Sequence, residues 1–344
     1  MSFLRNAWYV AAWDEEVPKE GVFHRRILNE DILFMRANDG VVHAMRNRCS
    51  HRFAPLHLGE RCGDEIECPY HGLKFGPDGR CVHNPHGDGS INKRAHLKSY
   101  PVVSKKMLLW IWMGDPVSAE ESDIPDFVGL DPDNYAINKG YMYTPCNYEF
   151  MTDNIMDLGH IEFVHKGLLG SEAVREGDVE IFQEGNVVRS NRLTHDEILP
   201  PTLDVVYGSG GKPVDRWLDV TWYPPSNMQL VVGVTPSGNP PRIGKETPGV
   251  HLMTPETEET THYFWANARD FRRDDEELHA QLEDGLRFAF EHQDKPMIIA
   301  QKEAMDGEGF WDLEPLILAC DAGAIRARRI LRKLIKDETK EKAL

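Results

Sequence analysis

Apolar residues come in short runs through the first third of the chain. Residues 32–35, 41–45, 100–103 and 108–112 are each four or five residues long, rich in Val, Ile, Leu and aromatics, and separated by turn sequences such as Asn38-Asp39-Gly40 and Gly76-Pro77-Asp78-Gly79. This pattern predicts a small antiparallel β domain. Residues 114–133 carry Asp-Pro and Ile-Pro-Asp breaks among many acids and read as a connection. The boundary is expected near residue 120, giving domains 1–120 and 121–344.

The second part opens differently. Residues 148–165 have a helical pattern, strands follow at 179–182, 217–222, 229–233 and 262–265, and a long helical tract at 274–305 places Leu278, Leu282 and Leu286 at helical spacing. An α+β domain is expected, with an antiparallel sheet and long helices packed against it. Residues 324–342 alternate Ile325, Ile330, Leu331 and Leu334 with basic side chains and read as an amphipathic surface helix. No internal repeat or low-complexity segment interrupts the chain.

The 344 residues suffice for two ordinary domains. A net charge of −17 argues against nucleic acid as a partner, because phosphate contacts need a basic surface. Residues 41–106 invert the sign, with eleven Lys or Arg against six Asp or Glu, a local +5. Such a basic module either steers an acidic protein toward it or is simply a solvated face. The six cysteines show no disulfide framework, the N-terminus has no apolar signal core, and no apolar run approaches the ~18 residues of a membrane span. A soluble protein of the reducing cytoplasm is expected.

Chemistry concentrates first at Cys49-Ser50-His51 and Cys68-Pro69-Tyr70-His71, two Cys/His pairs sixteen residues apart. In a Rieske [2Fe–2S] centre, two thiolates serve one iron and two imidazoles the other, which raises the potential above that of an all-cysteine cluster. The rival is a Cys2His2 zinc knuckle. Zinc pairs usually enclose two to four residues, whereas Cys49 and His51 enclose one. The first domain is therefore read as a one-electron relay holding a [2Fe–2S] cluster through Cys49, His51, Cys68 and His71.

A second group lies in Asn154-Ile-Met-Asp157-Leu-Gly-His160-Ile-Glu-Phe-Val-His165. Two imidazoles with a carboxylate suggest the facial triad that leaves positions open on non-haem Fe(II). On a regular helix, residues five apart diverge by about 140°. One metal can take both only if the helix ends or distorts between them, and a π-bulge would serve. Gly159 and Gly167 ease either device.

Together these motifs resemble the Rieske non-haem iron aromatic oxygenases. The likeness runs from Asn6-Ala7-Trp8-Tyr9-Val10-Ala11 to Thr254-Pro255-Glu256-Thr257 and His262-Tyr263-Phe264-Trp265. It is nearest the terminal oxygenases of the vanillate demethylase and dicamba monooxygenase group, with methyl-hydroxylating arylsulfonate oxygenases close by. The resemblance implies an N-terminal all-β Rieske domain and a helix-grip catalytic domain. It implies that Asp294, in Glu291-His292-Gln293-Asp294-Lys295-Pro296, completes the iron site with His160 and His165; Glu291 and Asp153 are the alternative carboxylates. It further implies a ring-shaped homotrimer in which Asp157 joins His71 of one subunit to His160 of the next. Asn154, one turn before Asp157, is expected to approach the iron without binding it.

The implied reaction uses O2 and electrons ultimately from NAD(P)H. It hydroxylates a methyl carbon of an aromatic acid, and with a methoxy substrate the hemiacetal collapses to release formaldehyde. His251, on an expected strand, is the candidate for holding an anionic group, or else a hydrogen-bonded core histidine. Ile155, Leu158, Ile161, Phe288 and the strand around Trp265 are candidate walls, with core packing as the alternative for each. His83 and His86 read as part of a turn after the cluster loop. No flavin or nicotinamide site is recognisable, so a separate flavin reductase, ferredoxin or both must supply electrons. The alternatives are methyl hydroxylation of an arylsulfonate, ring dihydroxylation, and a Rieske electron carrier without catalysis.

Overall fold

The computed structural model describes residues 3–341, which form two compact units. The first comprises residues 3–124 together with the short segment Thr254–Thr257, and the second residues 125–253 with 258–341.

The first unit is built from three small antiparallel sheets. One pairs Trp8–Trp13 with Leu108–Trp112, which in turn pairs Val102–Lys105. A second runs Phe23–Ile27, Glu30–Arg36, Val42–Arg46 and Ser99–Tyr100. The third, of two- and three-residue strands Glu60–Cys62, Glu65–Glu67, Lys74–Phe75 and Cys81–His83, carries the cluster loops. Strands so short cannot hold themselves in water, so this subdomain depends on its core of Leu33, Met45, Leu56, Ile66 and Phe75. Glu30 closes the neighbouring sheet, accepting from Tyr100 Oη at 2.5 Å and pairing with Arg5 and Arg46. Burial pushes this carboxyl up, but Tyr100, Arg5 and Lys98 outweigh burial and hold it down to about 2.

The second unit is organised by a seven-stranded antiparallel sheet. Its spatial order runs from the strand Ala136–Thr144 through Thr261–Arg269, Lys245–Pro255, Asn227–Pro236, Val214–Tyr223 and Val187–Glu197 to Asp178–Glu184. The register Leu218↔Val232, Val232↔Thr247, Leu230↔Gly249 and Met228↔His251 fixes which side chains share a face. Across Ala136–Thr144, Gly140 lies opposite Trp265, and a Cβ there would fall 2.4 Å from the indole, so the absence of a side chain lets the tryptophan lie flat on its neighbour.

Helices pack on this face. The expected helix over 148–165 is broken: it runs Tyr148–Met156, capped by Asn147, and gives way to a tight turn at Leu158–His160 and a short helix Ile161–Val164. Asp157 makes the break. Its backbone is extended, and its Oδ1 accepts from Gly159 N at 2.8 Å, restarting the chain as a new N-cap. The long tract is continuous from Glu276–Arg287 to Lys295–Ala304, joined by a π-helical turn over Phe288–Asp294 in which Lys295 N bonds Phe290 O. The widened turn therefore sits at Asp294, not between the two histidines. Pro296 follows immediately, and because it has no N–H it sends no backbone hydrogen bond back into the widened turn.

The final helix, Ala322–Glu341, is not a surface helix alone: Ala324, Ile325, Ala327, Arg328 and Leu331 are buried. Arg328 bonds Asp153 at 2.7 Å and Glu149 at 2.8 Å, tying this helix to Tyr148–Met156. Lys342, expected at its end, lies outside the described residues.

Candidate active site

In the first unit, two loops of the same design present the Cys/His pairs. Phe53 N bonds Cys49 O and Gly72 N bonds Cys68 O, each at 3.0 Å, while Cys49 N bonds Ala54 O at 2.9 Å and Cys68 N bonds Leu73 O at 2.8 Å. Each loop turns on a left-handed residue, Phe53 at φ 63° and Gly72 at φ 68°. Cys49 and Cys68 are buried, and the His51 and His71 rings stand 4.5 Å apart at the outer side. Burial pushes the Cys49 thiol up to about 11, the adjoining Cys68 adds to this, and the backbone N–H of His51 opposes it. Two sulfurs inside an apolar core and two imidazoles outside match the split donor set of a Rieske cluster. His86, expected in a turn, bonds the His71 carbonyl through Nε2 at 2.9 Å.

In the second unit, three donors converge. His165 Nε2 lies 3.3 Å and His160 Nε2 3.5 Å from Asp294 Oδ1. The other nitrogen of each ring is occupied: His160 Nδ1 meets Asp157 O at 2.5 Å and His165 Nδ1 meets Gln293 Oε1 at 2.8 Å. Each Nδ1–H is thus donated outward, which fixes the tautomer and leaves both Nε2 lone pairs facing the Asp294 carboxylate. That is the donor set of a two-histidine, one-carboxylate iron site. Burial lowers His160, with Asp294 opposing; for His165 burial also acts downward, but the bonded Asp294 outweighs it and raises the imidazole. Asn154 Nδ2 donates to Asp294 Oδ1 at 3.1 Å. The alternative acids are engaged elsewhere, Asp153 with Arg328 and Glu291 beside Arg287.

Gln293 went unnoticed in the sequence. Only the π turn brings two successive residues, 293 and 294, to the same histidine. Asp157 serves His160 through its backbone carbonyl, while its carboxylate neighbours Arg192 and Cys320.

Beside the three donors lies a cavity of about 120 Å³. Space of about 150 Å³ accepts benzene, so this one is close to the scale of a single ring. Its walls are Ile155, Leu158, Leu230, Val232, Leu282 and Phe290. Ile161 and His251 also line it, whereas Phe288, a candidate wall, is half exposed and points away. His251 is buried, its Nδ1 is 2.5 Å from Tyr263 Oη, and burial pushes it down to about 4, so it is uncharged at neutral pH.

Comparison with known proteins now bears on this pairing of sites. Residues 7–101 match the Rieske [2Fe-2S] domain, and residues 144–337 match the vanillate O-demethylase oxygenase C-terminal domain. The chain belongs to the Rieske oxygenase components. Among its Rieske relatives, the oxygenase component of chloroacetanilide N-alkylformylase from Rhizorhabdus wittichii is 39% identical, over 99% of this chain and 98% of its own. The iron-sulfur subunit of the toluene-4-sulfonate monooxygenase system from Comamonas testosteroni is 38% identical over 98% of each. The crystal structure of dicamba monooxygenase bound to 3,6-dichlorosalicylic acid superposes with a TM-score of 0.93 at 36% identity, covering 98% of this chain and 99% of that one. The fold is that of a Rieske oxygenase, with the N-terminal β domain followed by a helix-and-sheet catalytic domain.

Proposed function

We propose that this chain is a terminal oxygenase that hydroxylates a methyl carbon of an aromatic substrate and thereby dealkylates it. Cys49, His51, Cys68 and His71 hold the [2Fe–2S] cluster, and His160, His165 and Asp294 hold the mononuclear Fe(II). When bound, these groups would supply one-electron transfer and open coordination positions for oxygen. For a methoxy substrate the balance is ArOCH3 + O2 + 2 e⁻ + 2 H⁺ → ArOH + HCHO + H2O, the hydroxylated methyl being a hemiacetal that loses formaldehyde.

The protein's part is placement. Asp157 O and Gln293 aim the two imidazoles, Asn154 orients the Asp294 carboxylate, and the apolar walls hold a ring and exclude water from it. Electrons arrive from a separate donor, a flavin reductase or ferredoxin fed by NAD(P)H, which the +5 charge of residues 41–106 would attract if the donor is acidic. Asp157 is the bridge to His71 of a neighbouring subunit in a homotrimer. Cys62, Cys81, Cys146 and Cys320, the cysteines outside the cluster loops, form no disulfide, which favours work in a reducing cytoplasm. Among the described residues, no helix is long and apolar enough to cross a membrane.

The observation that carries this reading is the pair of Nε2 lone pairs turned onto one buried carboxylate beside a ring-sized cavity. Metal analysis with formaldehyde assay tests it. Three irons per chain, a Rieske absorption spectrum and formaldehyde from methoxyarenes with a surrogate reductase are expected. Two irons with no turnover would make the chain an electron carrier; a cis-diol or a stable benzylic alcohol in place of formaldehyde would make it a ring or methyl hydroxylase.

A further inference from the structure

Five side chains of the cavity wall face a second space as well. Leu169, Leu203, Val206, Leu282 and Leu286 line both the cavity beside the three donors and a larger opening of about 450 Å³. That opening lies between the loop at Leu168 and Leu169, the helix Pro201–Tyr207 and the helix Glu276–Arg287. Exposure falls along it. Thr202, Val205, Gln281 and Asp284 are exposed, whereas Leu203 and Val206, which it shares with the cavity, are buried. The two spaces therefore follow one another from solvent toward the donors, and the shared side chains stand at the join.

The walls of this opening are fixed. Leu203, Val206 and Leu278 belong to one core cluster, and Leu169 and Leu282 pack against it. The loop is held by Thr202, whose Oγ1 donates to Leu168 O, and by Arg216, whose Nη1 donates to Leu169 O at 3.0 Å. Arg216 is itself paired with Glu197 at 2.8 Å, both side chains being 1% exposed. Arg272 Nη1 donates to Val205 O at 2.6 Å, which joins the helix Pro201–Tyr207 to the segment leading into Glu276–Arg287. So anchored, the opening belongs to the folded structure and needs no unfolding to form.

Gly285 marks the same space in a different way. It follows Leu282 by three residues, on the same face of the helix. Beyond its chain neighbours and the backbone of its own helix, a Cβ built on it meets no atom within 4 Å among the described residues. Glycine inside a helix is disfavoured relative to every residue but proline. Packing does not demand it here, since a methyl group would fit; what its bare backbone leaves is clearance along the opening.

We propose that substrate and product pass between solvent and the iron site through this opening, and that Gly285 sets the rate of passage. The proposal concerns the route, and it rests on the dealkylation reading for what travels along it. An obstacle on a route changes neither the free ligand nor the bound one. It slows entry and release by the same factor and leaves Kd as it was, whereas a change in the cavity itself shifts Kd.

Gly285→Phe and Gly285→Cys test the route in anaerobic holoenzyme, with 4-nitroanisole as the probe. Its binding is read by quenching of tryptophan fluorescence in stopped flow, and its turnover by formaldehyde. Gly285→Phe should lower the association and the dissociation rate alike, each by ~10-fold, the effect of a modest added barrier, with Kd and iron content unchanged. In Gly285→Cys, benzyl methanethiosulfonate should bring the same fall by attaching a ring through a disulfide, and dithiothreitol should restore the rates. The unaltered protein treated in parallel controls for its own thiols. An association rate that neither the phenylalanine nor the attached ring lowers, or a raised Kd without slower association, overturns the passage. Matched slowing of entry and release without formaldehyde from the probe would instead overturn dealkylation and leave the passage standing.

Discussion

Asn154 donates its side-chain amide to Oδ1 of Asp294 at 3.1 Å, joining residues 140 positions apart in sequence. The same nitrogen is 3.5 Å from His160 Nε2. One amide therefore touches two of the three converging donors, and the helix Tyr148–Met156 and the π turn Phe288–Asp294 are brought to the same point.

Removing the charge at that point should empty the site. Asp294→Asn is expected to lose the mononuclear iron, with two irons per chain retained, an unchanged Rieske spectrum and no turnover. Asn154→Ala removes only the orienting bond and should weaken iron binding by ~10-fold, the lower end for groups behind a metal ligand. Iron content after dialysis against a graded chelator separates the two. Full activity in Asp294→Asn would remove Asp294 from the ligand set.

Asp157 makes a sharper test, because its structural contacts survive a conservative change. The His160 contact uses the Asp157 carbonyl, and an asparagine can still cap Gly159 N. Asp157→Asn should therefore keep both metal sites and the fold while slowing reduction of the iron by the cluster. Stopped-flow single turnover reads this directly, and an unchanged rate would sink the bridging role.

Glu30 sets part of the acid stability of the first unit. Its folded value, about 2, lies below the ordinary 4.5, so the folded state binds the proton less readily than the unfolded state. The stabilisation is complete above 4.5 and is lost as pH falls toward 2. Glu30→Gln should cost about 2 kcal/mol at neutral pH, leaving Arg5 and Arg46 without their carboxylate, and should flatten the decline between those limits. Urea midpoints against pH check it.

If the basic cluster module receives an acidic donor, turnover with that donor should fall as salt rises while turnover with a small neutral reductant stays level. Screening beyond ~8 Å at physiological ionic strength is the cause. A donor-dependent rate indifferent to salt would leave the +5 of residues 41–106 as a solvated face.

What could be read from the sequence was local. The Cys49/His51 and Cys68/His71 pairs show themselves by spacing, as do His160 and His165, and the sheet strands and the long tract follow from periodicity. Asp294 lies 129 residues from His165, and no pattern links them; only a family resemblance pointed to it. The helix predicted over 148–165 is longer than the one observed because the apolar rhythm continues past Asp157, where the Asp157 side chain caps Gly159 N and starts the chain afresh. Gln293 and Tyr263 were out of reach for a different reason: their partners, His165 and His251, are set by a π turn and by sheet register. The last helix displayed its apolar stripe, but whether that stripe met solvent or Tyr148–Met156 depends on tertiary packing.

The wide turn at Phe288–Asp294 gives the enzyme an unusual vulnerability. A helix gains nothing in sturdiness from such a turn, and shortening it by one residue would let the whole tract relax into ordinary α geometry. A chain so edited would swing residues 293 and 294 round the axis away from His165, and would carry the buried Ile298 out of register with them.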